Sequence, residues 1–262
     1  MRALTTAATG MMAQQMNVEV ISNNIANMNT VGFKRQRASF QDLLYQNLER
    51  AGAPSSASGT IVPIGIQIGV GVKTGSVARI TEQGNLNASG NRFDVAIDGQ
   101  GYFQISMPSG ETAYTRAGNF AVNDSGQLVT EDGYQVLPAI TIPSDTRDVT
   151  ISKEGQVMAL QAGQETPTQV GQLEISTFVN PAGLEAIGDN LFLVSGASGA
   201  ANTGTPGSTG FGTLMQGFLE TSNVDAVSEI SNLILAQRGY EMNSKVISTA
   251  DSMLGVTSDL KR

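Results

Sequence analysis

The stretch from Ala3 to Met28, ALTTAATGMMAQQMNVEVISNNIANM, decides how the rest of this chain is read. Leu4, Met11, Val18 and Ile25 recur every seven residues, and Ala7, Gln14, Ile21 and Met28 follow at an offset of three. Seven residues are close to two helical turns, so both lines fall on one side of an α-helix, predicted over 3–28. Gly32 stands where a C-terminal cap would stop it, with Phe33 behind it as a capping contact. From Ala3 to Phe33 the only charge is Glu19. Thr, Gln, Asn and Ser occupy the positions where a solvated face carries charge. Such a helix suits packing against other helices on several sides.

The far end of the chain repeats the pattern. Over 223–260, Leu233, Tyr240, Ile247 and Leu254 are spaced by seven, with Ile230, Gln237, Ser244 and Asp251 as the partner line. Ser222 and Asp225 resemble a capping box at its start. Ile234, Leu235, Met242, Val246 and Met253 add apolar surface beyond the stripe. The predicted helices would be about 39 Å and about 57 Å long. Matched heptads at the two ends predict pairing as a coiled coil, with the apolar surplus facing other copies. Unlike surfaces that meet without closing build a helical filament. Leu4, Met11, Val18, Ile21, Ile25, Leu233, Tyr240, Ile247 and Leu254 are therefore the candidate assembly interface. Gly10, Gly239 and Gly255 lie inside the helices.

Between the ends, residues 34–72 read as a connector. Lys34, Arg35 and Arg37 form a basic patch, read as solvated or engaged in salt bridges between subunits. Phe40, Leu43, Leu44 and Leu48 give an apolar face, and the small residues of 52–59 mark a loop tip or extended arm. Residues 73–212 read as β-structure. Phe93, Val95 and Ile97 alternate with Asp94 and Ala96; Leu173, Ile175, Thr177 and Val179 alternate with Glu174, Ser176 and Phe178. Turns are predicted at Asp98-Gly99, Ser109-Gly110, Asp124-Ser125-Gly126, Asp132-Gly133 and Glu154-Gly155. Residues 195–212, rich in Gly, Ser, Ala and Thr, read as a long surface loop. The fold class is α+β. Long terminal helices (1–33 and, with a return connector, 213–262) pair as a coiled coil. A connector with a β-hairpin arm (34–72) and a central antiparallel sandwich or barrel (73–212) lie between them.

Composition excludes much chemistry. Among 262 residues there is no Cys and no His, which removes thiol nucleophiles, the usual zinc sites and His bases. The net charge of −8 argues against a nucleic-acid partner. It is unevenly spread: 1–72 carries +2, 73–212 carries −8 and 213–262 carries −2. No apolar run reaches the roughly 18–20 residues of a transmembrane helix. Thr5, Thr6, Thr9, Gly10, Gln14 and Gln15 interrupt any signal-peptide core, so a cleaved signal is not expected. Gly65, Gly69 and Gly71 before Lys73-Thr74 hint at a phosphate loop, but no Gly directly precedes the Lys. Asp94 and Asp98 could suggest a glycosidase pair; an exposed strand position and a turn explain them more simply. The five Tyr residues show no stacking cluster. No enzyme activity, metal or cofactor is expected.

Several segments carry a resemblance. Residues 21–35, ISNNIANMNTVGFKR, continued by Phe40 to Gln46, resemble the N-terminal signature of the flagellar rod and hook axial proteins. Residues 94–103, DVAIDGQGYF, and 114–120, YTRAGNF, are similar to that family's central domain. Residues 220–224, ETSNV, and 236–241, AQRGYE, are similar to its C-terminal signature. The resemblance marks Asn23, Asn24, Asn27, Gly32, Phe33, Lys34 and Arg35 as motif and connector residues. The length, the arm-like 47–67 and the segments 138–143 and 170–173 point within the family to the distal rod. The resemblance implies a structural subunit that polymerises into a hollow helical drive shaft carrying torque from motor to hook. Implied partners are copies of itself, proximal rod proteins, the hook protein, periplasmic and outer-membrane ring proteins, the rod cap and the flagellar type III export apparatus. The alternatives are another axial subunit, of proximal rod or hook type, or an exported glycan-binding or hydrolytic β-domain protein.

Overall fold

The computed structural model describes residues 2–49, 64–164 and 166–259. Helix α1 spans Arg2–Ala26 and helix α2 spans Ala226–Asp259, with antiparallel β-structure between them. Both helices stop close to their predicted ends. Gly32 is not the cap of α1, because the helix ends at Ala26 and a turn intervenes. The box predicted at the start of α2 resolves differently. Asp225 is itself the N-cap, its Oδ1 accepting the Val227 N–H at 3.0 Å, while Ser222 Oγ accepts the Val224 N–H.

The chain divides into two compact units: one of residues 1–25, 36–78 and 225–262, the other of 26–35 and 79–224. The first contains both helices. Along it, Gly10 faces the Asn243 side chain, Gly239 faces Gln14, and Asn24 Nδ2 donates to Glu229 Oε2 at 3.1 Å. Four residues forward on α1 is four back on α2, and fourteen forward is fourteen back, so the contacts define one antiparallel register. The α1 seam consists of Ala7, Ala13, Val20, Ile21 and Asn24, all buried. On α2 the buried line is Glu229, Ala236 and Ala250, with Asn243 partly covered. The sequence-derived partner line Ile230, Gln237, Ser244 and Asp251 is exposed instead. The physical reason is size. On α2, small side chains at the seam let the two backbones approach, and the larger apolar groups are left outside.

Also in this unit, strand Gln36–Asp42 pairs with Val72–Arg79, and Tyr45–Glu49 pairs with Ile66–Gly69 as the base of a hairpin. The tip of the expected arm, 50–63, lies outside the described residues. Leu44, Tyr45, Leu48, Ile64, Ile66 and Ile68 are exposed on and beside this hairpin.

The second unit is built on strands Tyr102–Ser106 and Thr112–Thr115, extended by Gln135–Leu137 on one side and Leu191–Leu193 on the other. A three-stranded sheet, Thr146–Ile151, Gln156–Gln161 and Thr168–Gln172, stands beside it in the chain. Val95, Ile97, Phe103, Ile105, Leu173 and Ile175 are wholly buried in one core, each such side chain contributing roughly 1.5–3 kcal/mol. All five predicted turn glycines adopt positive φ.

Three expectations are corrected here. Alternation ends with the strand at Thr177, so Phe178 is buried and Val179 is 95% exposed. Residues 195–212 are not merely a loop, because Asn202–Gly204 pairs with Ile175–Thr177. Tyr102 and Tyr114, on two paired strands, both pack edge-on against Phe178, with Tyr102 also against Phe192.

Candidate functional site

The motifs at 32–35, 114–120 and 220–224 meet at one buried junction in the second unit. At its centre is Glu220, 1% exposed. Its Oε1 accepts Lys34 Nζ at 2.5 Å and the Gly84 N–H at 2.9 Å; its Oε2 accepts Arg116 Nε at 2.5 Å. Its backbone carbonyl accepts the Gly32 N–H at 2.8 Å. The two cations are tied down in turn. Lys34 Nζ donates to the Glu82 carbonyl at 2.7 Å, and Arg116 donates to the carbonyls of Gly101 at 2.5 Å, Gly99 at 2.6 Å and Ile97 at 3.3 Å. A planar guanidinium with five donors suits this work, since one side chain fixes a carboxylate and a whole turn of backbone.

Neighbouring contacts extend the clasp. Asn223 Oδ1 accepts the Arg35 N–H at 2.7 Å, and its Nδ2 donates to Ile80 and Glu82 carbonyls. Asn190 Nδ2 donates to the Val31 carbonyl at 3.2 Å. Gly32 has φ of +70°, and a Cβ there would lie 2.8 Å from the Ala117 backbone nitrogen. Only a glycine satisfies both the conformation and the space.

The electrostatics favour a lock. Burial works to raise the Glu220 carboxyl, but the charges of Arg116 and then Lys34 outweigh it and hold the group below its ordinary value. Burial lowers the Lys34 ammonium, against the attraction of Glu220. Every charged atom of the set has a protein partner, which leaves no free nucleophile or base. The patch read as solvated or intersubunit is thus corrected at Lys34, which is 4% exposed and paired within its own chain. Asp94 is likewise buried and accepts from Asn91 Nδ2 at 2.9 Å, so it is not an exposed strand position.

In the helical unit the motif residue Asn24 is also 1% exposed. Its Oδ1 accepts the Gln36 N–H at 2.9 Å and its Nδ2 donates to the Gln36 carbonyl at 2.8 Å as well as to Glu229. Asn23 is exposed, while Asn27, Phe33 and Arg35 are partly covered. Of the stripe residues, Ile21 is buried; Leu4, Met11, Val18, Ile25, Leu233 and Ile247 are partly covered; Tyr240 and Leu254 are exposed. Sequence reasoning missed Arg116, Glu220, Asn223 and Glu229 as site residues. The first three stood inside motifs already marked, but nothing local shows that residues 34, 116 and 220 converge.

Comparison with known proteins matches the segments that carry these residues. Three family models match: "Flagella basal body rod protein" over residues 4–34, "Flagellar hook protein FlgE/F/G D1 domain" over 96–159, and "Flagellar basal body rod FlgEFG protein C-terminal" over 215–260. Among curated proteins, the chain is 66% identical to the flagellar basal-body rod protein FlgG of Caulobacter vibrioides, covering 100% of both chains. It is 56% identical to FlgG of Agrobacterium fabrum over 98% of each chain, and 43% identical to FlgG of Bacillus subtilis over 100% of each. These relatives are named for a place in a structure, not for a reaction. With full-length identity at this level and the rod signatures gathered at one junction, the chain belongs to the flagellar basal-body rod protein family.

Proposed function

We propose that the chain is a structural subunit of the distal rod that polymerises into a hollow helical drive shaft between motor and hook. The observation that carries this reading, beyond kinship, is the state of α2. One side of it meets α1 through small and polar residues, yet Val227, Leu235, Met242, Val246 and Met253 remain exposed. A helix already partnered and still apolar is suited to neighbours on other sides. In this reading α1 and α2 pair as an antiparallel coiled coil that forms the inner layers of the tube. Leu4, Met11, Val18, Ile21, Ile25, Leu233, Tyr240, Ile247 and Leu254 contribute to assembly, and the hairpin wedges between copies.

The β-rich unit then faces outward, toward periplasmic and outer-membrane ring proteins, with its acidic surface available to them. Proximal rod proteins, the hook protein, the rod cap and the type III export apparatus complete the set of partners. Among the described residues no helix is long and apolar enough to cross a membrane. Electron microscopy of the purified chain and of basal bodies carrying a labelled copy tests the proposal. Label confined to the shaft next to the hook is the expected result, and label absent from the shaft overturns it. Reversing several carboxylates of 73–212 is expected to alter ring placement with rods intact; unchanged rings would sink the ring-facing role.

A further inference from the structure

The chain carries ten methionines and no cysteine, so thioethers hold all of its sulfur. Among the described residues they differ in cover. In the β-rich unit Met107, Met158 and Met215 are partly covered, Met107 by packing on the main core, and Met28 is 40% exposed. In the helical unit Met11 and Met16 are partly covered, whereas Met12, Met242 and Met253 are 70%, 66% and 60% exposed.

Met242 and Met253 stand in apolar company. Leu235, Met242, Val246 and Met253 follow one another at spacings of seven, four and seven. At roughly 100° per residue they make one line along α2, and all four are exposed. Met12 has different surroundings. Its neighbours one turn away are Ala8, Thr9, Gln15 and Met16, and among its described residues α1 exposes no other large apolar side chain.

A thioether is apolar, unbranched and adaptable, which suits it to a contact surface. Hydrogen peroxide turns it into a polar sulfoxide: the sulfur attacks one peroxide oxygen, the S–O bond forms as the O–O bond breaks, the sulfur is oxidised and the peroxide is reduced to water. On a side chain that faces water the new oxygen is hydrated and the fold is undisturbed. In a dry contact the same oxygen is an acceptor without a donor. We infer that Met242 and Met253 are an oxidative modification site, and that their conversion to sulfoxide by hydrogen peroxide bars the free chain from the shaft without unfolding it. The inference rests on the rod-subunit reading and goes beyond it, because it says when the chain is vulnerable: before its α2 line is covered.

To test this, full-length chain is treated with hydrogen peroxide, mapped by peptide mass spectrometry and followed for filaments by electron microscopy. Met12, Met242 and Met253 are expected to gain oxygen before Met107, Met158 and Met215, with circular dichroism and unfolding midpoint unchanged. The concentration needed for filaments is expected to rise about tenfold, as an unpaired polar atom in a dry contact requires, and methionine sulfoxide reductases should reverse the rise. In Met242→Leu/Met253→Leu, peroxide should leave that variant's own threshold where it was, although Met12 still gains oxygen. Met12→Leu should keep the tenfold rise. A threshold that peroxide does not move in the original chain overturns the inference, as does a rise that persists in the double leucine variant or vanishes with Met12→Leu. A second measurement follows assembly in cells. Met242→Gln/Met253→Gln, which puts sulfoxide-like polarity at both positions, is expected to give far fewer shafts than the double leucine variant when each is the sole copy. Equal numbers overturn the inference, and with the original chain present in those shafts the rod reading stands. Original chain absent from the shafts overturns both.

Discussion

The two units differ in which large apolar side chains they leave in solvent. The β-rich unit encloses its large apolar residues, among them Phe103, Ile97 and Leu173, and also encloses three charges that satisfy one another. The helical unit buries alanines, Val20, Ile21, Asn24 and Glu229 along its seam and leaves Leu235, Met242 and Met253 outside. The first is complete as a monomer, whereas the second is complete only in company. The difference teaches that burial in a single chain is a poor guide to which helix face matters most in a protein built to associate.

The sharpest way to break that comparison is to open the junction. Glu220→Ala leaves two buried cations without their counter-charge and is expected to destabilise the β-rich unit by about 3–5 kcal/mol, read as a shift in urea midpoint. Lys34→Met should cost much less, since Arg116 still balances Glu220 and the methionine replaces the buried stem. An equal cost for the two would mean that charge balance is not what the junction supplies. Gly32→Ala comes next, at about 2–4 kcal/mol from positive φ and the close Ala117 backbone, read by the same titration.

Acid tests the same set. The Glu220 carboxyl sits below its ordinary value in the folded chain, so its contribution is whole above the unfolded value, near 4.5, and fades as pH falls through the folded one. Glu220→Gln should remove that part of the acid sensitivity, and an unchanged stability profile below pH 4.5 would count against the lock. On the helical side, Asn24→Ala is expected to loosen the helix pair by about 1–3 kcal/mol, because the Gln36 backbone groups and Glu229 lose buried partners. Hydrogen exchange should rise in α1 and α2 and stay level in the β-rich unit. Val18→Asp should abolish filaments while leaving the β-rich unit folded; normal rods from it would refute the role of the stripe.

The mildest expected change is Gly239→Ala. The added Cβ meets only the flexible end of Gln14 at 3.2 Å, and the gain in helix propensity of about 1 kcal/mol offsets it. A large loss of helix stability would mean that the seam is tighter than its side chains suggest.

These contrasts also explain what could be read in advance. Helix ends came within a few residues because Asp225 and heptad spacing are local signals, although Gly32 does not cap α1, and turns such as Asp132-Gly133 came for the same reason. The α1 line at Ala7 and Ile21 was legible. The α2 partner line was not, since Ile230 advertises a core position that the small Ala236 and Ala250 occupy in fact. The ionic junction was illegible in kind. Lys34, Arg116 and Glu220 are each ordinary in their own neighbourhoods, and only the closure of the β-structure brings them within hydrogen-bonding reach. Val179 was misread because period-two reasoning assumes that the strand continues.

The position of Glu220 along the chain has a kinetic consequence. A chain delivered from its N-terminus presents Lys34 and Arg116 well before residue 220, which is 186 residues beyond the first and 104 beyond the second. Until then the two cations repel one another wherever the chain brings them together. The clasp is a contact of very high sequence separation, and such contacts form late because the intervening loop must first be ordered. The β-rich unit therefore cannot close its clasp on a chain that stops short of residue 220. Its own electrostatics hold the door open until that residue, about five-sixths of the way along the polypeptide, has arrived.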